Sequence, residues 1–436
     1  MLGPRSSCIG NWNRNEKVKI FQNDKEERGK TLELIIALDI SMGKSYKVLY
    51  DGQTCLSEGE ILHNKFGFQA LLEEIHSLPE EPKIVFESTG IYSKPVETFC
   101  QKNNLTYFLL NPLEAKKQLE QGTLRSWKTD KHDAHKLAQI HPFVDRSEKV
   151  QQPEIYTELR DLSRFYQEIE GQIKHTRMYL HHALQVSFPE LERFFSSRVT
   201  PYALTLIELF PHPELVLQTS RTKIKNLLMK TTHKKISENR AMEKAKLIIE
   251  YAQESYPAVS PDSVPTQKVQ YYARQLLHLL EEKKMVSEQL IVKARQLSEF
   301  QLFTSFPGIG EISAALLIGE IGDLSRFSNH KKVNAFIGID IRRYQSGKYA
   351  GQDHINKRGN PKGRKVLYLI VKNMIRQQKA APNHIVDYYY KLKKQPQAKK
   401  DRVATVACMN KLLKCIYSMV RNNTKYEYSY TVSKDQ

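Results

Sequence analysis

Apolar residues follow two different rhythms along this chain. Between about 32 and 110 they come in short runs. Leu32–Asp39 (LELIIALD) is continuously apolar and ends on an acid, the pattern of a central strand covered on both faces. Ser45–Tyr50 (SYKVLY) predicts a second strand, followed by Asp51-Gly52 as a hairpin turn. Lys83–Glu87 (KIVFE) again ends on an acid, and Leu105–Leu110 (LTYFLL) is stopped by Asn111-Pro112. Helices are predicted over Phe66–Ile75 and, after the turn Ser88-Thr89-Gly90, over Ser93–Lys102. Strands alternating with helices define an α/β domain.

The second rhythm is helical. Leu159, Leu162, Tyr166, Ile169, Ile173 and Leu180 recur at three- and four-residue spacing, and so do Tyr272, Leu276, Leu279, Val286, Leu290 and Leu297. Each stretch predicts a coiled-coil-like helix roughly 39 Å long. Such helices can form a bundle core, a hairpin within the chain, or a contact between chains; so long a spacer needs a partner surface, which favours a dimer. The residues between them, 185–267, read as a mixed helical insert broken by Pro189, Pro201, Pro211 and Pro213. Further on, Phe306-Pro307-Gly308-Ile309-Gly310 leads into a small-residue helix. This is the pattern of a helix-hairpin-helix, whose turn amides, here at Gly308 and Gly310, can meet a phosphate. Leu367–Gln377 and Arg402–Val420 are also predicted helical. The fold class is therefore α/β followed by all-α: a polar tail over 1–30, an α/β domain over 31–150, a helical region over 151–300, a mainly helical domain over 301–425 and a tail over 426–436.

One short stretch carries candidate chemistry. In Lys128–Ala138, Thr129 is a natural N-cap, and Leu137 and Ala138 begin an apolar face. Asp130 and Asp133 then share one side of the first turn. Two carboxylates about 4 Å apart repel by roughly 4 kcal/mol at an effective dielectric near 20, and a divalent cation reverses that sign. In isolation the pair is explained as well by the positive end of the helix dipole. Asp39 and Glu87 change the balance, because ligands collect at the carboxyl ends of strands in such sheets. Four acids brought to one edge do not serve packing, and their hard oxygens suit Mg²⁺ or Mn²⁺.

Composition adds a partner. Apolar content of 40% and charged content of 26% are ordinary for a water-soluble protein. No apolar run is expected to cross a membrane, and no secretory signal is visible at the start. The scattered Cys8, Cys55, Cys100, Cys408 and Cys415 fit a reducing cytoplasm and form no zinc motif. Net charge is +19, and residues 301–436 alone hold 25 Lys+Arg against 9 Asp+Glu. A positive excess confined to one third of the chain is the footprint of a polyanion, here a nucleic acid.

That excess centres on Arg342, Arg343, Lys348, Lys357, Arg358, Arg364 and Lys365, with the neutral donor Asn360 among them, around Ser346-Gly347. Cations around a serine hydroxyl can stabilise a phosphoryl transfer to it. They can equally grip a phosphate, with Ser346 as one donor among several; composition alone does not choose.

The ordered set FESTGIY, KTDKHDAHKLA, FPGIGEISAALLIGEIGD and QSGKYAGQDHINKRGNPKGRKVLYL closely resembles the DEDD transposases of bacterial insertion sequences. The match covers about 32–184 and 306–420. The resemblance implies an N-terminal RuvC-like domain of RNase H fold, with its acidic tetrad on Asp39, Glu87, Asp130 and Asp133. It implies a C-terminal transposase domain whose serine is Ser346, which attacks a DNA phosphate and forms a 5′-phosphoserine link assisted by Mg²⁺. It also implies partners: donor and target double-stranded DNA, a structured non-coding guide RNA, and dimers pairing into tetramers whose protomers share an active site. Two departures are the long insert over 185–267 and Ile-Gly-Ile at 337–339, where Ala-Gly-Leu is usual. The main alternative is a metal-dependent junction resolvase or nuclease using only the acids. A third reading is a nucleic-acid-binding regulator with an inert first domain.

Overall fold

The computed structural model describes residues 34–110, 112, 129–140, 152–197, 199–232, 236–346, 349–351, 353–396 and 398–428. The tail expected over 1–30, most of that over 426–436, and Gly347 and Lys348 lie outside them. The chain divides into two compact units, 1–151 and 152–436.

The first unit is built on five strands: β1 (Leu34–Ser41), β2 (Lys44–Asp51), β3 (Thr54–Leu62), β4 (Lys83–Glu87) and β5 (Tyr107–Leu110). Their order is β3-β2-β1-β4-β5. The first three form an antiparallel meander, and β4 and β5 run parallel to β1. Central β1 is apolar on both faces because both are covered. Ile36, Leu38, Ile84 and Phe86 pack beneath α1 (Lys65–His76) and α2 (Lys94–Lys102). Ile35, Ala37, Val48, Tyr50 and Val85 meet Ala134, Leu137 and Ala138 of α3 (Asp130–Ile140) on the opposite face. Each fully buried aliphatic side chain contributes about 1.5–3 kcal/mol. Apart from the predicted turn at Asp51-Gly52, β3 had no sequence signal. Its TCLSEGEIL is polar because it is an edge strand with most residues exposed.

The second unit is organised around α4 (Glu154–Ser187) and α9 (Val264–Ala294). They run antiparallel, with Lys293 paired to Glu158, Lys283 to Glu170, and Tyr179 stacked on Tyr272 at 5.6 Å. Of the pairings the spacing left open, the structure shows a hairpin within the chain. Its tip enters a small core built from the insert helices α5 (Pro201–Leu209), α6 (Pro213–Leu217), α7 (Arg221–Thr231) and α8 (Glu238–Glu254). Its foot enters a larger core with α10 (Ser298–Ser305), α11 (Glu311–Ile321), α12 (His330–Ile337), α13 (Pro361–Arg376), α14 (His384–Lys393) and α15 (Asp401–Asn422). One expectation needs correction. By length and hydropathy α15 does qualify as a membrane span, but the apolarity has another cause: Ala404, Cys408, Leu412, Leu413 and Ile416 are buried in this core.

Glu320 ties foot to core. The residue is 1% exposed, and its carboxylate accepts from Ser163 Oγ at 3.2 Å, Gln167 Nε2 at 3.1 Å and Asn360 Nδ2 at 2.7 Å. Removing the acceptor strands buried donors, each costing about 1–3 kcal/mol. Glu320→Ala is therefore expected to lose about 3 kcal/mol, read as a fall in thermal midpoint, and Glu320→Gln distinctly less because an acceptor oxygen remains. Equal midpoints for both variants would remove the carboxylate from this role.

Candidate functional site

Strand register places the first two acids. Leu38 is paired with Phe86 across parallel β1 and β4, so Asp39 and Glu87 follow side by side at the carboxyl ends. Side chains alternate along a strand. Asp39 shares the parity of Ile35 and Ala37, and Glu87 that of Val85, so both belong to the face covered by α3.

Helix α3 brings the other two. Thr129 caps it as predicted, its Oγ1 accepting from the His132 N–H at 3.2 Å. Near its N-terminus, Lys131 interacts electrostatically with the Tyr46 side chain, and Tyr46 lies opposite Asp39 in the ladder. One residue earlier, the charge of Asp130 is felt by Lys44, which pairs with Ser41 at the end of β1. One turn on, His135 Nδ1 meets the Tyr50 hydroxyl at 2.8 Å, and Tyr50 lies opposite Ile35. The helix therefore runs antiparallel to β1, and Asp130 and Asp133 begin it at the edge where Asp39 and Glu87 end their strands. Asp130 is exposed; Asp39, Glu87 and Asp133 are half-buried. All four are carboxylates, whose hard oxygens are the kind of ligand a divalent cation such as Mg²⁺ takes, but among the described residues no three of them bring ligand oxygens within 4.8 Å of one another.

Sequence reading missed the groups beside these acids. Glu58 of β3 bonds Lys131 and, at 2.8 Å, His135 Nε2. The Lys131 ammonium holds the Glu58 carboxyl below its ordinary range. Lys131 and His135 were visible as an i, i+4 pair in the quoted motif. Glu58 gave no signal because it lies on the polar edge strand.

In the second unit the basic stretch is a two-stranded ribbon. β6 (Ile341–Arg342) pairs with β9 (His354–Ile355), and β7 (Gln345–Ser346) with β8 (Tyr349–Ala350) further out. Ser346 is thus the last strand residue before the tip, opposite Tyr349. Tyr344 and Tyr349, both exposed, meet edge to face at 6.3 Å. Arg342, Lys357, Arg358 and Lys365 are exposed, and so is Arg343, which pairs with Asp353 at 3.1 Å. Asn360 and Arg364 are committed to the fold. Asn360 Oδ1 caps α13 by accepting from the Lys362 and Gly363 amides, and Arg364 Nη1 donates to the Ile337 carbonyl at 2.8 Å. The ribbon foot is closed by backbone contact. A Cβ on Gly359 would stand 2.2 Å from the Phe336 oxygen, so no other residue fits there.

The FPGIG turn joins α10 to α11. Gly308 has φ +90 and lies against Met374, and Gly310 is the N-cap of α11 at an ordinary φ of −79. Glu311 at the helix start pairs with Arg295 at 2.6 Å.

Two family models match in the order of the two units. A transposase model of the DEDD, IS110 type covers residues 36–189, and the transposase IS116/IS110/IS902 family covers residues 300–385. The chain belongs to the IS110-type DEDD transposases. It is also 33% identical over 73 residues to the transposase for insertion sequence element IS1111A of Coxiella burnetii, a stretch spanning 17% of this chain and 20% of that relative. The first family model begins two residues into β1 and includes Asp39, Glu87, Asp130 and Asp133; the second includes Gly308, Gly310 and the whole ribbon with Ser346.

Proposed function

We propose that this IS110-type protein is an insertion-sequence transposase that cuts and exchanges DNA strands, with Ser346 as nucleophile and Asp39, Glu87, Asp130 and Asp133 as the holders of a divalent cation, Mg²⁺ or Mn²⁺. The reading rests on the match to the DEDD model over 36–189, which includes all four acids, and on the strand pairing that sets Asp39 beside Glu87. Bound there, the cation would supply charge stabilisation to a phosphate.

The serine hydroxyl attacks a DNA phosphorus. The new bond is Oγ–P, the bond broken is P–O3′, and the strand leaves as a free 3′-hydroxyl. The product is a 5′-phosphoserine link, which a 3′-hydroxyl reverses. Arg342, Lys357, Arg358 and Lys365 supply charge for backbone phosphates, and Lys348 extends this set by sequence. The Gly308–Gly310 turn serves as a helix-hairpin-helix phosphate contact. A structured guide RNA pairing with donor and target DNA selects the site, and the working form is a dimer that assembles to a tetramer.

The test is direct. Wild-type protein incubated with element-end DNA, the adjoining non-coding RNA and Mg²⁺ should give a protein–DNA adduct that survives denaturing electrophoresis. Peptide mass spectrometry should place the link on Ser346. Cleavage with free ends and no adduct would favour a nuclease using the acids alone.

A further inference from the structure

A second, chemically different cluster lies on the outer half of the first unit. Cys55 Sγ, a Glu58 carboxylate oxygen and a His135 ring nitrogen all fall within 4.8 Å of one another. Cys55 and Glu58 are three apart on one strand, a spacing that ordinarily sends side chains to opposite faces. A β-bulge reverses this. Leu49 pairs with Ser57 but Tyr50 pairs with Cys55, so Leu56 is the extra residue. Val48 and Tyr50, the partners of Glu58 and Cys55, both belong to the α3 face. The bulge therefore turns a thiol and a carboxylate together toward His135 of α3.

His135 is held for the purpose. Its Nδ1 meets the hydroxyl of buried Tyr50 at 2.8 Å, which fixes the ring and aims Nε2 at Glu58. A hydrogen bond at the far nitrogen is what orients an imidazole toward a metal. We propose that Cys55, Glu58 and His135 form a site for a thiophilic divalent cation such as Zn²⁺, distinct from the acidic tetrad. Three mixed N/O/S ligands with water in the fourth position is a common zinc arrangement. Mg²⁺ does not compete for it, since hard cations take oxygen ligands.

Binding balances as follows. The Cys55 thiol loses its proton to solvent as sulfur bonds the metal. The ring proton of His135 sits on Nδ1, where the Tyr50 oxygen accepts it, leaving the Nε2 lone pair for the cation. Lys131, which now occupies Glu58, is exposed and moves into water with its charge. The consequence is mechanical: the cation staples edge strand β3 to the helix that starts with Asp130 and Asp133.

Cobalt(II) is the probe, added to the full chain in saturating Mg²⁺. A thiolate-to-cobalt charge-transfer band should appear at one equivalent and disappear on adding Zn²⁺. Cys55→Ser should abolish the band and weaken Zn²⁺ binding at least about tenfold. Asp39→Asn should leave the band unchanged, which separates this site from the tetrad. Zn²⁺ should also protect Cys55 from alkylation, read by peptide mass spectrometry. Absence of the band, its survival in Cys55→Ser, or unprotected alkylation of Cys55 would each overturn the assignment.

Discussion

Ser346→Ala is expected to abolish the covalent protein–DNA adduct and to reduce recombination by about 10⁴-fold or more, while nucleic-acid binding stays within a few-fold of wild type. No other group can take the role of an atom that forms a bond to phosphorus. On the proposed reading binding survives, because affinity would come from many phosphate contacts spread over the ribbon and its foot, whose loss would appear as a shallower salt dependence. The ribbon also persists, since its register is set by the backbone pairs Gln345 with Ala350 and Ser346 with Tyr349. The assay is a denaturing gel with end-labelled element DNA, run beside a filter-binding curve. Recombination by the alanine variant would move the nucleophile elsewhere, and loss of binding in parallel with activity would make Ser346 a phosphate grip only.

Asp133→Asn is expected to slow strand cleavage by at least about 10³-fold. The change keeps size and removes one charge from the edge shared with Asp39, Glu87 and Asp130. Folding should be spared or slightly helped, because like charges at the start of α3 repel when no cation is bound. Mg²⁺ should raise the wild-type thermal midpoint, since a ligand bound only by the folded state at 100 times its Kd contributes about 2.7 kcal/mol. The variant should lose most of that rise. A normal Mg²⁺ response with lost cleavage would mean that Asp133 acts without holding the cation; a normal response with normal cleavage would remove it from the site.

Sequence and structure agree wherever the signal is local and one face is dry. Glu87 ends β4 as KIVFE predicts, whereas β1 runs two residues past the predicted end at Asp39, because Ile40 and Ser41 still pair with the antiparallel β2. Thr129 caps its helix as predicted. Helix α4 runs beyond its apolar spacing at both ends, whereas α9 starts eight residues before Tyr272 and stops at Ala294, so that Leu297 belongs to the turn into α10. Features that depend on contact between distant segments were hidden. The β3 strand shows no alternation of apolar and polar residues, and its Leu56 and Leu62 are exposed. Cys55 and Glu58 look divergent until the bulge is known, and Asp39 offers no hint of Tyr46 across the ladder. Glu320 reads as an ordinary helix residue in a small-residue run, and only the fold seals it against Ser163, Gln167 and Asn360. Ser346 stood in a glycine-rich stretch that reads as loop; that it ends a strand is a matter of pairing.

The α4–α9 hairpin is gripped at both ends, by one core at the tip and another at the foot. Such a member behaves as a lever. Thirty-four residues of α4 give it a length of about 51 Å, so a tilt of about 5° at the foot swings the tip by about 4 Å. Ser163 and Gln167 lie near the pivot, and Glu320 passes their displacement to Asn360, where the ribbon returns to α13. A tilt of the hairpin would therefore bear first on Glu320 and, through it, on Asn360, which caps α13 where the ribbon rejoins the helical core.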